Sequence, residues 1–256
     1  PFHGERQQGR VLRDTPNFKV LIATHCFFDN PHSYSGMLFA DFYDWITFLR
    51  DLAPQTSYDW YLKVHRDPLP GTMEILEHLL GPESRITVVP SETSHRQLVE
   101  ELTCYGTIGI EYAALGLPVV NACRGNPHQA YGFNLHPQTV EEYRQTLLAL
   151  PEKARSLEID PDEIEECYFM KYQYLSTEWP GSLAYSQAVE ALGPEGAVKS
   201  PFFGYFLEHW TPELHEEILQ KEKAFLLSGA DFNTRYGPKF EPQTTSGQGH
   251  RQAAPL

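Results

Sequence analysis

The stretch at residues 102–133, LTCYGTIGIEYAALGLPVVNACRGNPHQAYGF, constrains the fold more than any other part of the chain. Its pattern predicts a compact unit: a strand at 102–104, a tight turn, a helix at 107–116 and a second strand at 119–121. Thr107 suits the helix N-cap, because its hydroxyl can accept a hydrogen bond from an amide of the first turn. A helix that begins at the carboxyl end of a strand offers amides and a favourable dipole to an anion. The stretch therefore predicts a phosphate site at Gly106, Thr107 and Ile108.

Glu111 adds a second feature to this predicted site. It follows Thr107 by four residues, about one helical turn, so both side chains can face one crevice. A carboxylate there suits the two hydroxyls of a ribose. The alternative is an ordinary strand-turn-helix in which Glu111 is only solvated.

Residues 18–150 alternate between strand and helix patterns. Continuous apolar runs predict buried strands at 18–23, 58–64 and 85–89. Apolar residues at helical spacing predict helices at 39–52, 71–80, 95–101 and 139–150, the last with Thr139 as N-cap. This order predicts an α/β fold with a doubly wound parallel sheet of at least five strands.

Polar side chains follow several of these strands, at the points where the strands end. His25 and Asp29 lie in a long polar loop after the first strand, and Lys63, His65 and Arg66 end the second. Asn126 and His128 follow the strand predicted at 119–121. Because ligands of open α/β sheets bind at the carboxyl ends of the strands, we expect these residues to line one site.

Two other interpretations of the first loop stay open. His25, His32 and Asp29 could bind a metal, although they do not have a recognised metal spacing. The polar groups of the loop could also satisfy one another. We favour a sugar site with no metal, in which Asp29 or His25 is the candidate catalytic base.

These motifs resemble the nucleotide-sugar half of GT-B-fold glycosyltransferases, particularly those of bacterial capsule, lipopolysaccharide and other surface polysaccharide biosynthesis. In that fold a small polar residue at the helix start meets the donor phosphate and a Glu holds the ribose, as Thr107 and Glu111 would here. Lys63 and His65 match a K-x-H-P element whose histidine contacts the donor phosphate, but Arg66 replaces the proline. The Lys, His and Arg cluster still suits a phosphate.

The resemblance implies a Rossmann-like donor domain and transfer of a hexosyl or Kdo-type sugar to a hydroxyl of a glycan or lipid-linked acceptor. The nucleotide-sugar would be a substrate, and no cofactor is implied. A full GT-B enzyme has two Rossmann-like domains and only one is evident, so an acceptor domain ahead of it or a partner chain would be needed. The alternatives are a nucleotide-sugar epimerase of the same architecture and a non-catalytic nucleotide- or sugar-binding module of a polysaccharide assembly.

The remaining residues and the composition complete the prediction. Residues 1–17 read as a loose lead-in, 18–150 as the nucleotide-sugar domain, 151–236 as a helical extension and 237–256 as a disordered tail. A net charge of −14 argues against nucleic acid as a partner, and no apolar run is long enough to span a membrane. Four cysteines without CxxC spacing predict buried thiols in a cytoplasmic protein, with peripheral association at the inner membrane as an alternative.

Overall fold

The fold was analysed in a computed structural model of the chain. It describes residues 9–24, 27, 36–64, 71–99, 103–105, 109–175, 182–196, 200–230 and 233–234. The chain divides into two compact units, Pro1–Tyr168 and Phe169–Leu256.

A parallel sheet forms the centre of the first unit. Its strands are β1 (Lys19–Ala23), β2 (Asp59–Lys63), β3 (Ile86–Val89) and β4 (Thr103–Tyr105), in the spatial order β3-β2-β1-β4. Every neighbouring pair is parallel. Burial along β2 is complete, as expected for a central strand covered on both faces. The predicted strands at 18–23, 58–64 and 85–89 are confirmed to within one residue at each end.

Helices connect and cover the strands. In this unit they are α1 (Phe42–Leu52), α2 (Thr72–Leu80), α3 (His95–Val99), α4 (Gly109–Ala113), α5 (Val140–Leu148), α6 (Leu150–Ser156) and α7 (Pro161–Phe169). Short 3₁₀ turns cover Ala53–Gln55 and Pro127–Ala130. The apolar faces of α1 and α2 pack into one core with the strands, where Leu49 and Leu76, for example, are 1% and 0% exposed. Thr139 caps α5 as predicted, because its side chain accepts a hydrogen bond from the Glu142 amide.

The segment at 119–121 does not extend the sheet, contrary to the prediction of at least five strands. Val120 forms an isolated parallel bridge with Leu135. The amide of Leu135 donates to Val119 O at 2.8 Å, and that of Asn121 donates to Leu135 O at 2.9 Å. Leu135, fifteen residues after Val120, therefore pairs with the backbone of this apolar run. The described sheet accordingly has four strands.

Residues 9–17 are anchored to the sheet, so the expectation of a loose lead-in is wrong for them. Leu12 is 2% exposed in the main core. Asp59 at the start of β2 accepts hydrogen bonds from Thr15 and, at 3.1 Å, from Asn17. Burial by itself would raise the pKa of Asp59, but these two bonds and the nearby charges of Arg13 and Lys19 hold it below its usual value.

All regular secondary structure in the described residues of the second unit is helical. After a π-helical turn at Met170–Tyr174 come α8 (Ser182–Gly196), α9 (Ser200–His209) and α10 (Pro212–Ser228). The helix α8 is bent at Gly193, whose φ of 73° and ψ of 164° are not helical. No described helix is both long and apolar enough to cross a bilayer.

Candidate functional site

The carboxyl ends of the four strands lie along one edge of the sheet. Ala23 of β1 pairs with Lys63 of β2, and Lys63 pairs with Val89 of β3. On the other side of β1, Ile22 pairs with Tyr105, the last residue of β4. Neighbouring strands are about 4.8 Å apart, so the ends of β2 and β4 are separated by roughly 10 Å across β1. The segments that follow β2, β1 and β4 therefore begin within about 10 Å of one another.

Lys63 is a buried cation at this edge, 4% exposed. Its Nζ donates to Ser91 O at 2.5 Å, which joins the end of β2 to the segment after β3. Burial lowers the pKa of Lys63, and the negative charge of Glu92 opposes that effect. An ammonium has three donors, so a bond to one carbonyl leaves it capable of binding an anion.

His128 lies against the first residue of α4. A Cβ built on Gly109 would be 2.8 Å from His128 Nδ1 and 2.8 Å from Asn134 Nδ2. Asn134 Nδ2 also donates to Gly109 O, at 3.4 Å. Only glycine therefore allows the imidazole and the amide to approach the helix so closely.

Asn126 fixes the backbone that carries His128. Its Oδ1 accepts a hydrogen bond from the His128 amide at 3.0 Å and so caps the 3₁₀ turn Pro127–Ala130. Its Nδ2 donates to Asn121 Oδ1 at 3.3 Å. Asn126 is thus a positioning residue for His128 in this structure.

Asn121, Asn134 and His136 complete a buried polar cluster that the sequence did not single out. Asn121 Nδ2 is 3.1 Å from His136 Nδ1. Burial lowers the pKa of His136, and the backbone carbonyls of Tyr131 and His128 offset this only in part, which favours the neutral imidazole. Asn134 is 4% exposed, and its buried Oδ1 has no hydrogen-bond partner among the described residues. Such an orphaned acceptor is costly unless a ligand or water satisfies it.

The sequence contains local patterns that could have indicated Asn121, Asn134 and His136. Asn121 ends the apolar run VVN, just as Lys63 ends its strand. Asn134 and His136 alternate with the apolar Phe133 and Leu135, the period-2 pattern of an extended segment with one polar face.

The end of the long polar loop after β1 is anchored beside this cluster. Met37 forms an antiparallel bridge with Cys123, and Leu38 N donates to Ala122 O at 2.9 Å. A Cβ on Gly36, whose φ is +91°, would lie 2.6 Å from Gly125 N. The loop therefore begins at Thr24, on the carboxyl edge, and ends next to the residue that precedes Asn126.

Glu111 lies in the first turn of α4 and is half-buried, while Gly109, Ile110, Tyr112 and Ala113 around it are buried. Glu111 is therefore the accessible carboxylate of this helix, two residues after the Gly109 position against which His128 packs. Phe133 and α4 also pack on Ile164 and Cys167 of α7.

A carboxylate of α7 holds the segment after His128 in place. Glu163 Oε2 accepts a hydrogen bond from the Gly132 amide at 2.6 Å. Burial, together with the neighbouring Glu166 carboxylate, raises the pKa of Tyr131 to about 12, so this phenol stays neutral. The segment that follows His128 is therefore attached to α7 by this hydrogen bond.

The structure brings some predicted residues together. His128, whose backbone Asn126 holds, packs against Gly109 at the start of α4, the helix that carries Glu111. The ammonium of Lys63 instead donates to Ser91 O, in the segment after β3. The other predicted site residues lie outside the described residues: His25, Asp29, His65, Arg66, Gly106, Thr107 and Ile108. Among the described residues, no group of three His, Cys, Asp or Glu side chains could hold a metal ion, and His25, Asp29 and His32 are not among them.

The cysteines are placed in part. Cys167 is buried on α7, as expected for a core thiol, and Cys123 is partly exposed in the bridge to Met37.

Comparison with known proteins gives no relative from which to take a function: the chain matches no protein-family model and no curated protein.

Proposed function

We propose that this protein binds a nucleotide-activated sugar at the carboxyl edge of its sheet and transfers the sugar to a hydroxyl of a glycan acceptor. The nucleotide-sugar is a substrate in this proposal, and no further cofactor takes part.

The strand order carries the proposal. Strands β1, β2 and β3 follow one another in one direction across the sheet, whereas β4 lies on the opposite side of β1. The carboxyl ends of β1 and β4 therefore flank a topological switch point, where open α/β sheets bind their ligands. The same order, 3-2-1-4, begins the doubly wound Rossmann arrangement, which supports the resemblance to a GT-B donor domain.

The residues near the switch point suit the parts of a nucleotide-sugar. Residues 106–108, between β4 and α4, would hold the phosphates through their amides, and Glu111 would accept hydrogen bonds from the ribose hydroxyls. His128 and Asn134, which pack against Gly109, would contact the sugar, because sugar hydroxyls can donate to the orphaned Oδ1 of Asn134. Lys63 would add positive charge on the β3 side of the nucleotide, together with His65 and Arg66.

In the transfer itself, the acceptor oxygen forms a bond to the anomeric carbon while the bond from that carbon to the phosphate oxygen breaks. The nucleotide leaves with the electron pair, and cationic or amide donors near its phosphate stabilise the developing charge. A base removes the proton of the acceptor hydroxyl. Asp29 and His25 are the candidates, since their loop starts at Thr24 and ends at Gly36 beside Gly125. An acceptor domain would come from a partner chain or from further residues of the protein.

A thermal-shift panel of UDP-, GDP-, CMP- and dTDP-sugars tests the binding step. A ligand at one hundred times its dissociation constant stabilises a protein by about 2.7 kcal/mol. For a chain of this size that is a rise in Tm of about 5–10 °C. We expect one nucleotide class to produce it, and Glu111→Gln to remove most of it. The control Glu74→Gln changes an exposed carboxylate in the first turn of α2 and should leave the shift unaltered.

The outcomes separate the competing functions. No shift with any donor refutes nucleotide-sugar binding. A shift with release of free nucleotide in the presence of glycan acceptors supports the transferase. A shift with conversion of the sugar but no nucleotide release identifies an epimerase, and a shift with no chemistry at all identifies a binding module.

A further inference from the structure

The second unit contains a cavity that the proposed transfer does not use. Its volume is about 450 Å³, within the range of about 300–1,000 Å³ typical of small-molecule sites. One wall comes from α8 through Gln187, Glu190 and Ala191, and the other from α9 and the turn after it through Tyr205, His209 and Thr211. The spacing of three and four residues on each helix places these residues on facing helix surfaces.

Two aromatic rings stack face to face in the α9 wall. The ring centroids of Tyr205 and His209 are 3.9 Å apart, with 12° between their planes. His209 Nδ1 lies 2.9 Å from Tyr205 O, and since a carbonyl can only accept, the imidazole donates from Nδ1. This bond fixes the plane of the imidazole, so the stacked pair is organised before any ligand arrives.

The rest of the lining can both donate and accept hydrogen bonds. Gln187 has an amide that does both, Thr211 has a hydroxyl that does both, and Glu190 has a carboxylate that accepts. Ala191 contributes only a methyl group, which leaves space between the two helices. An aromatic face next to such mixed polar groups matches a ring that has an apolar C–H face and a rim of hydroxyls.

We propose that the cavity lined by Gln187, Glu190, Ala191, Tyr205, His209 and Thr211 is a carbohydrate-binding site for a neutral oligosaccharide. A sugar ring packs on the outer face of the Tyr205–His209 stack, and its hydroxyls bond to Glu190 and Gln187. An organic cation fits less well, because a single carboxylate, Glu190, stands among the lining residues. A nucleobase fits less well too, because its edge has fewer hydroxyl-like groups for this lining. The proposal does not depend on the nucleotide-sugar site, which lies in the other unit.

Titration calorimetry of the full chain with maltotriose, cellotriose and chitotriose tests this proposal. We expect at least one trisaccharide to bind. Tyr205→Ala should weaken that binding at least tenfold, whereas Tyr205→Phe, which keeps the ring, should change it by less than about threefold, since the stacking face is retained. Glu190→Gln should weaken it several-fold, and the matched control Glu208→Gln, on α9 but outside the cavity lining, should not.

A steric variant provides an independent readout. Ala191 is exposed on a helix, so Ala191→Leu keeps helix propensity while filling the cavity, and it should abolish binding without lowering Tm. Absence of binding by all three trisaccharides overturns the proposal, as does tight binding of tetramethylammonium or uridine in their place. Equal loss of affinity in Glu190→Gln and Glu208→Gln also overturns it. Trisaccharide binding that survives Glu111→Gln, which should remove the nucleotide response, separates the two sites.

Discussion

Replacing Gly109 with alanine tests the contact between α4 and the segment that carries His128. The new Cβ would lie 2.8 Å from His128 Nδ1 and 2.8 Å from Asn134 Nδ2, closer than Cβ atoms approach other atoms in real structures. Both neighbours are almost fully buried, at 2% and 4% exposed, so neither side chain can swing into solvent. Overpacking of this kind costs about 1–3 kcal/mol.

A smaller effect acts in the opposite direction. Gly109 does not have a left-handed φ, so alanine can adopt its backbone conformation. The gain in helix propensity is at most about 1 kcal/mol. The net expectation is a loss of stability of about 1 kcal/mol, together with weaker nucleotide-sugar binding because His128 is displaced.

Gly204→Ala in α9 is the matched control. Nothing lies within 4 Å of its added Cβ, so only the propensity gain operates, and this substitution should stabilise its helix by up to about 1 kcal/mol. The two alanine substitutions should therefore change stability in opposite directions. Urea unfolding, with amide hydrogen exchange to assign the change to each unit, measures both.

A double-mutant cycle identifies the neighbour responsible. In an Asn134→Ala background one of the two close contacts is absent, so Gly109→Ala should cost less, with a coupling of about 0.5 kcal/mol or more. The reasoning is refuted if Gly109→Ala stabilises the protein as much as Gly204→Ala. Zero coupling to Asn134 with a persistent loss of stability would assign the clash to His128 instead.

Three further predictions concern stability. Leu49→Ala should cost about 2–5 kcal/mol in urea unfolding, because Leu49 is 1% exposed in the core, whereas Leu115→Ala, at a 48% exposed site, should cost less than about 0.5 kcal/mol. The pKa of Asp59 is lowered in the folded state, so the ionised carboxylate stabilises the fold at neutral pH, and this stabilisation is lost as the pH falls below about 4. Asp59→Asn should remove that acid-dependent loss of stability and increase amide hydrogen exchange in residues 9–17. The pKa of His136 is also lowered, so its neutral imidazole favours the folded state above about pH 6.5, and this stabilisation is lost as the pH falls through that value. His136→Gln should therefore lose less unfolding free energy between pH 7 and 5 than the original protein. An identical loss in both proteins would contradict the lowered pKa of His136.

Local patterns predicted the elements whose cause is local. The run FKVLIA became β1 and YDWYLKV became β2, because continuous apolar residues can be buried only on both faces of a covered strand. Thr139 caps α5 because a cap needs only a hydroxyl and the next turn of helix. These predictions depend on residues that are neighbours in the chain.

The predictions that failed depend on distant partners. Residues 9–17 look like a polar lead-in, yet they are held by Asp59, more than forty residues away, and nothing in the segment itself indicates that partner. The segment at 119–121 has the composition of a sheet strand, but its amide and carbonyl groups are taken by Leu135. A pattern can predict an extended backbone, but the choice of pairing partner is a tertiary effect.

The same distinction applies to the candidate site. The rule that polar residues gather at the carboxyl edge of a parallel sheet selected Asn126 and His128, although the segment at 119–121 that precedes them does not join the sheet. It could not predict that Lys63 would direct its ammonium to Ser91, because that contact depends on the turn after β3. Nor could it predict that Gly109 would be the surface against which His128 and Asn134 pack.

Two close contacts at glycines hold the segments that follow β1 and β4 in place at the carboxyl edge of the sheet. At one, Gly109 lets the His128 ring reach the start of α4, and at the other, Gly36 lies so near Gly125 that a Cβ would be 2.6 Å from its nitrogen. The first ties the 126–128 segment to β4 through α4, and the second ties the end of the loop after β1 to the residues just before Asn126. The segments that follow β1 and β4 are thus both attached to the same 122–128 stretch. In the proposed complex, a ligand at the switch point would contact groups whose spacing these two contacts already fix, which lowers the entropy lost on binding.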